Sequence, residues 1–151
     1  MTVDVRRAEP YDFAEVLRLV EAFYRVDGHR FDQDFLTPSI VELLSHDDHG
    51  TIAIAEDGGR PCGYAIVTWG YSLEGGGVEG LLDEIYAEVP GRGVGGSLLA
   101  WAETACRHRG ARRLALETER PNEAARRFYR HNGYAADDSI WMSKWVDQAE
   151  A

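Results

Sequence analysis

Four glycines fall within six residues at Gly91-Arg92-Gly93-Val94-Gly95-Gly96, and no other stretch limits the possible folds of this chain so strongly. A strand-like run, Leu81 to Ala87, precedes it, and a helical pattern begins at once behind it. Glycine lets the backbone turn tightly and lets a ligand come close to the amides. The first amides of a helix lack internal partners, and the helix dipole adds positive potential there. Strand, glycine turn and helix in that order make a cradle for a phosphate or pyrophosphate. The neighbouring sequence has to say whose phosphate it is.

Val3 and Val5 alternate with polar residues and predict a first strand over 2–8. From Tyr11 to Val26, Phe13, Val16, Leu17, Leu19, Val20 and Phe23 recur at helical spacing, and Gly28 closes that helix. Asp27 to Thr37 reads as a loop, with Pro38 in the first turn of a second helix reaching Ser45. Thr51–Glu56 and Cys62–Thr68 read as strands joined by the turn Asp57-Gly58-Gly59-Arg60. A second turn, Glu74-Gly75-Gly76-Gly77, leads to the strand Leu81–Ala87 and completes an antiparallel meander. A helix from Gly95 to Arg109 ends at Gly110, and Arg113–Thr118 is the next strand. Pro121 and Asn122 open a short helix to His131, Asn132-Gly133 stops it, and Ser139–Val146 is expected as a last strand. The order β-α-α-β-β-β-α-β-α-β is a mixed α/β layer. Without repeats or linkers, the 151 residues suit a single domain over 1–151.

The formal net charge of -10 argues against a nucleic-acid partner, which needs a basic face, and favours a cationic acceptor. No run approaches the roughly 18 apolar residues of a membrane span. The opening Met1-Thr2-Val3-Asp4-Val5-Arg6-Arg7 lacks a signal-peptide core, so a cytoplasmic location is the default expectation. Cys62 and Cys106 stand alone and read as two buried free thiols. His29, His46, His49, His108 and His131 form no ligand pattern, so no metal is expected.

Taken literally, Gly91-x-Gly93-x-x-Gly96 matches a dinucleotide fingerprint, with Glu117 about 20 residues on. That reading is a nicotinamide or flavin oxidoreductase. It requires the glycines directly after the first strand of a repeated parallel βαβ system, whereas two helices and three antiparallel strands come first here. No Gly-Lys-Ser/Thr follows, which excludes a kinase-type phosphate loop.

A second motif follows the loop: Asn122, Ala125, Phe128 and Tyr129, then Gly133-Tyr134. In that order, the two motifs resemble the GNAT superfamily of acyl-CoA-dependent N-acetyltransferases, over nearly the whole chain from Val5 to Lys144. Tyr71-Ser72-Leu73-Glu74 before Leu82-Asp83-Glu84-Ile85-Tyr86 looks like the branch related to polyamine and thialysine acetyltransferases. The resemblance implies a three-layer α-β-α fold. Its central sheet would be mostly antiparallel, with a parallel pair splayed around the acetyl-CoA site. The loop departs from the family pattern: Pro90 stands where Arg or Gln is usual, and Arg92 is the charge at hand.

Acetyl transfer needs a neutral amine, although a free alkyl amine has a pKa of about 10.4. A carboxylate takes its proton, and the leaving thiolate needs one back. The resemblance gives the acid role to Tyr129 and favours an acidic residue on the strand before the loop, Glu84, as base. Alternation puts Asp83 and Glu84 on opposite faces, Glu84 with Leu82 and Tyr86, without deciding between them. Glu117 and Glu119 are the alternatives. The resemblance further implies that backbone groups of Ile85, Tyr86 and Ala87 pair with the pantetheine arm. The amides of Gly91, Arg92, Gly93, Val94, Gly95 and Gly96 would hold the pyrophosphate, with Ser97 and Asn122 adding polar contacts. Tyr24, Phe31, Phe35, Trp69, Tyr71, Glu74 and Glu117 are candidates for the acceptor mouth, where aromatics and acids suit a cation. The expected reaction is direct attack of a small-molecule or protein amine on acetyl-CoA, in a homodimer if the chain follows its family. A non-catalytic acyl-CoA-binding regulatory module on the same fold is the alternative from another class.

Overall fold

The computed structural model describes residues 2–147, in two compact units, Met1–Glu117 and Thr118–Ala151. The first unit holds β1 (Val3–Arg7), α1 (Phe13–Asp27), α2 (Gln33–Ser45), β2 (Gly50–Asp57), β3 (Arg60–Ser72), β4 (Gly77–Ala87), α3 (Val94–Arg109) and β5 (Leu114–Leu116). The second holds α4 (Glu123–His131). The strands form one sheet in the order β1-β2-β3-β4-β5. Each neighbouring pair is antiparallel except β4 and β5, which run parallel.

The turns explain the meander. Gly58 and Gly59 both take positive φ, 58° and 83°, so Asp57 pairs directly with Arg60 across a two-residue turn whose twist matches the strands. Helices lie on both faces of the sheet. Val16, Leu19 and Val20 of α1 and Ile40 and Leu44 of α2 share one buried cluster with Ile52, Ile54, Tyr64 and Ile66. Each such large aliphatic side chain contributes about 1.5–3 kcal/mol. The opposite face is nearly all small, Ala53, Ala55, Gly63 and Ala65, and α3 lies close against it. A Cβ at Gly63 would stand 2.9 Å from Val94 Cγ1, and one at Gly80 2.5 Å from Cys106 Sγ. Arg6 binds Asp12 through both terminal nitrogens, at 2.8 and 2.9 Å, and Glu56 through Nε at 2.6 Å. That fixes the entry to α1 against β2.

Three expectations change. α2 begins at Gln33, not near Pro38: Asp32 caps it by accepting from the Phe35 amide at 3.2 Å, and Pro38 lies inside the helix. Cys62 is only half-buried, at an irregularity where β2 and β3 shift register, while Cys106 is buried. Residues 139–146 form no strand. Ile140, Trp141, Met142, Trp145 and Val146 are all exposed, and none gains a ladder partner among the described residues. No described helix is long and apolar enough to cross a membrane.

Candidate active site

An irregularity in β4 sets the geometry. Ile66 pairs with Glu84, but the next residue of β3, Val67, pairs with Leu82, so Asp83 is an extra residue, a β-bulge. The bulge moves the side-chain alternation by one. Gly80 and Leu82 face α3 with Val67, whereas Glu84 and Tyr86 face the α1–α2 layer with Tyr64 and Ile66. The expected sharing of one face by Leu82 and Glu84 is thus corrected, and Glu84 enters the aromatic side of the sheet.

There the Glu84 carboxylate is clasped. Tyr24 Oη donates to Oε2 at 2.6 Å and Tyr64 Oη to Oε1 at 2.7 Å. Phe23, Tyr24, Tyr64 and Tyr86 form a set of ring contacts between 5.5 and 6.4 Å, and Phe31 and His29 stand edge-on to Tyr24. Burial pushes the Glu84 carboxyl above the usual carboxylate range, and the two hydroxyls partly oppose this. Burial, together with Glu84, likewise raises both tyrosines. Asp83 has an open surface, yet the mass around the bulge still raises its carboxyl.

The bulge also marks where β4 loses a neighbour. Pairing with β5 runs from Gly80–Leu114 to Leu82–Leu116 and stops. From Glu84 to Ala87, β4 pairs only with β3 among the described residues. The Glu88 amide reaches Cys62 O at 2.9 Å across β3, so alternation turns Tyr86 and Glu84 toward β3. The backbone groups of Ile85 and Ala87 therefore lie on the open edge, and those of Tyr86 do not.

The glycine loop follows directly. Arg18 on α1 holds its start, with Nη1 and Nη2 on Glu88 at 3.1 and 3.2 Å and Nη2 also on Pro61 O. Gly91 and Gly93 both take φ of 78°, and Gly93 is the N-cap of α3. The first helical hydrogen bond runs from the Ser97 amide to Gly93 O at 3.1 Å, so the amides of Val94, Gly95 and Gly96 precede it. No atom lies within 4 Å of where a Cβ would stand at Gly91, Gly93 or Gly96. This open concave backbone fits an anion such as a pyrophosphate. Arg92 stands beside it, in a loose 3.8 Å pair with Asp57.

In the second unit, Asn122 Oδ1 caps α4 by accepting from the Ala125 amide at 3.0 Å. Tyr129 lies between Phe128 and Tyr134, at 5.1 and 5.8 Å, and burial pushes its hydroxyl up to about 12. Glu119 offers its carbonyl to the Asn122 amide and to Arg126.

The remaining predicted mouth residues separate. Trp69 lies on the α3 face, with its Nε1 on Asp47 O at 3.1 Å and Arg109 stacked over its ring at 5.5 Å. Tyr71 is five residues along β3 from Ile66, which is about 17 Å at strand rise, and Glu74 sits in the turn beyond. Neither neighbours Glu84. Phe35 is exposed on α2, and Glu117 is exposed just past β5. Tyr64 and His29 are the residues that sequence reasoning left out. The one signal for Tyr64 was a hydroxyl in a run apolar enough to be core, which obliges a partner. Among the described residues no group of side chains has metal-ligand geometry.

The chain belongs to the acetyltransferase (GNAT) family, whose profile matches residues 13–134. The family uses acetyl-CoA as its acetyl donor. Comparison with curated proteins finds no match in sequence. Among solved structures, an integron cassette protein from the mobile metagenome of Cole Harbour salt marsh is 26% identical, with a TM-score of 0.84 over 95% of this chain and 91% of that one. An aminoglycoside N-acetyltransferase in complex with CoA is 18% identical, with a TM-score of 0.83 over 96% and 95%. Ribosomal-protein-alanine N-acetyltransferase from Brucella melitensis biovar Abortus 2308 is 23% identical, with a TM-score of 0.76 over 96% and 100%.

Proposed function

We propose that this protein acetylates a primary amine by direct attack on acetyl-CoA in a ternary complex, with Glu84 as general base and Tyr129 as general acid. The observation that carries the reading is Glu84 itself: a half-buried carboxyl, raised by desolvation, on the strand that loses its neighbour beside the glycine cradle. A carboxyl raised toward neutrality is a better-matched base than an exposed one. The open-edge groups of Ile85 and Ala87 are suited to an extended amide-bearing arm, and the amides of Val94, Gly95 and Gly96 to a pyrophosphate.

In this reading Glu84, directly or through one water, takes the proton that the ammonium must lose. The amine nitrogen bonds to the thioester carbon, a strand amide supports the oxygen as it gains charge, the nitrogen's second proton leaves to water, and the carbon–sulfur bond breaks. Tyr129, protonated at neutral pH as any tyrosine is and held so by a hydroxyl pushed to about 12, supplies the proton for the departing sulfur and regains one from water. The aromatic lining and the acids Asp83 and Glu84 favour a cationic acceptor. Structural neighbours named for aminoglycosides and for ribosomal-protein alanine span small-molecule and protein amines, and both classes belong in the test.

The experiment is release of free thiol from acetyl-CoA across a panel of polyamines, amino acids, aminoglycosides and N-terminal peptides. Glu84→Gln and Tyr129→Phe are each expected to lower kcat by about 10²–10⁴. Binding of CoA without turnover on any amine would make the protein an acyl-CoA-binding module instead.

A further inference from the structure

Glu84 has two carboxylate oxygens, and the two tyrosines that hold them are not equivalent. Tyr64 belongs to β3, is 0% exposed, and is packed between Phe23 and Tyr86. Tyr24 lies in the last turn of α1, four residues before Gly28, and is only half-buried. A fully buried hydroxyl is costly unless hydrogen-bonded, and a phenylalanine would fill the Tyr64 site without that cost. A tyrosine–carboxylate pair inside an apolar layer is likewise no better for stability than apolar groups of the same shape. Packing alone therefore gives no reason for either group.

We propose that Tyr64 is the positioning residue of the base: it fixes Glu84 Oε1 in a permanent hydrogen bond and leaves Oε2 as the oxygen that works. The hydrogen bond from Tyr24 to Oε2 is the one that yields to the acceptor or its water, because its ring stands at the accessible end of the site. This rests on the reading of Glu84 as general base. The groups facing Glu84 are Tyr24 of α1, His29 in the segment after it, Tyr64 of β3 and Asp83 of β4. Of these, Tyr64 is the buried donor that no substrate can displace.

The test is the pH dependence of kcat/KM for Tyr64→Phe, which removes one oxygen and keeps the ring. The Tyr64 hydroxyl favours the charged carboxylate, so its loss raises the Glu84 pKa and moves the acid limb to higher pH, by about one unit or more. At neutral pH kcat falls several-fold, and KM for acetyl-CoA is unchanged. The same shift in a His29→Gln background excludes the histidine's own titration as its source. In a Glu84→Gln background, Tyr64→Phe is expected to do nothing further to turnover. A lowered rate with an unmoved acid limb, or full additivity with Glu84→Gln, overturns the proposal and leaves Tyr64 a packing residue. If Glu84→Gln alone keeps full activity, the base assignment fails first. Thermal melts of each variant separate both outcomes from loss of fold.

Discussion

Gly93 and Gly96 stand three residues apart at one loop-to-helix junction, yet alanine should act on them in opposite directions. At Gly93 φ is 78° and ψ is 5°, the left-handed region. No atom lies within 4 Å of a Cβ there, so Gly93→Ala meets no clash and pays only for the backbone, about 1–2 kcal/mol. Gly96 has no positive φ, lies in the first turn of α3 and is equally open. There alanine recovers helix propensity worth about 0.8–1 kcal/mol. The two variants should differ by about 2–3 kcal/mol, which separates their melting temperatures by roughly 4–12 °C in a chain of this size. Affinity should divide the same way. A backbone that relaxes at 93 turns the amides of Val94 to Gly96 away from their common focus, and the CoA Kd rises tenfold or more, about 1.4 kcal/mol. Gly96→Ala leaves those amides in place and should bind CoA within about threefold of the parent. Calorimetric titration with CoA, beside thermal melts, reads both quantities. If Gly93→Ala melts lower but binds CoA like the parent, the loop amides are not the pyrophosphate site. Melting shifts of the same sign would refute the backbone argument.

Gly63→Ala should damage the sheet, because its Cβ would lie 2.6 Å from Tyr86 O and 2.9 Å from Val94 Cγ1; we expect a loss of about 1–3 kcal/mol by chemical denaturation. Asp12 is held below the usual carboxylate range by the Arg6 guanidinium, so its contribution is complete above the unfolded pKa of about 3.9 and disappears as pH falls through the lower folded value. Asp12→Asn should cost about 1–3 kcal/mol at pH 7, discounted because Arg6 is a third exposed, and should flatten the acid limb of the stability curve. Glu84 has the opposite sign. Its raised pKa favours the fold at low pH, and that contribution is lost as pH rises through the folded value, so Glu84→Gln should melt no lower than the parent at pH 8 while losing turnover. A lower melting point for Glu84→Gln at pH 8 than at pH 5, relative to the parent, would contradict this sign.

The parts that were legible in the sequence are those written in local backbone chemistry. Gly58-Gly59, the left-handed stops at Gly28 and Gly110 and the Asn122 cap each act within a few residues, so β2, α1, α3 and α4 fall close to their expected bounds, whereas β3, expected to end at Thr68, runs on to Ser72. The start of α2 was less visible, because its cap, Asp32, sits in a polar stretch that reads equally well as loop. The bulge could not be seen at all. Asp83 and Glu84 are both acidic, either fits either frame, and only pairing with β3 shows which residue is extra. Tyr64 was hidden for a related reason: its partner lies 20 residues away, on a neighbouring strand. Of the aromatic and acidic mouth, Tyr24 and Phe31 gather at Glu84, whereas Trp69, Tyr71 and Glu74 were grouped by composition, which carries no information on which face or end of a strand a residue occupies.

The single extra residue in β4 makes the strand sensitive to parity. A strand is read in steps of two, and Asp83 shifts the count by one, so even-numbered residues before it face one layer and even-numbered residues after it the other. Substitutions at Asp83 leave that count intact. Its removal would leave Leu82 opposite Val67 and Glu84 opposite Ile66 in unbroken alternation, so the carboxylate would keep its face and only the irregularity beyond the last β5 pair would go. Among relatives of this chain, the strand should therefore vary in length by this one residue without carrying the carboxylate into the other layer.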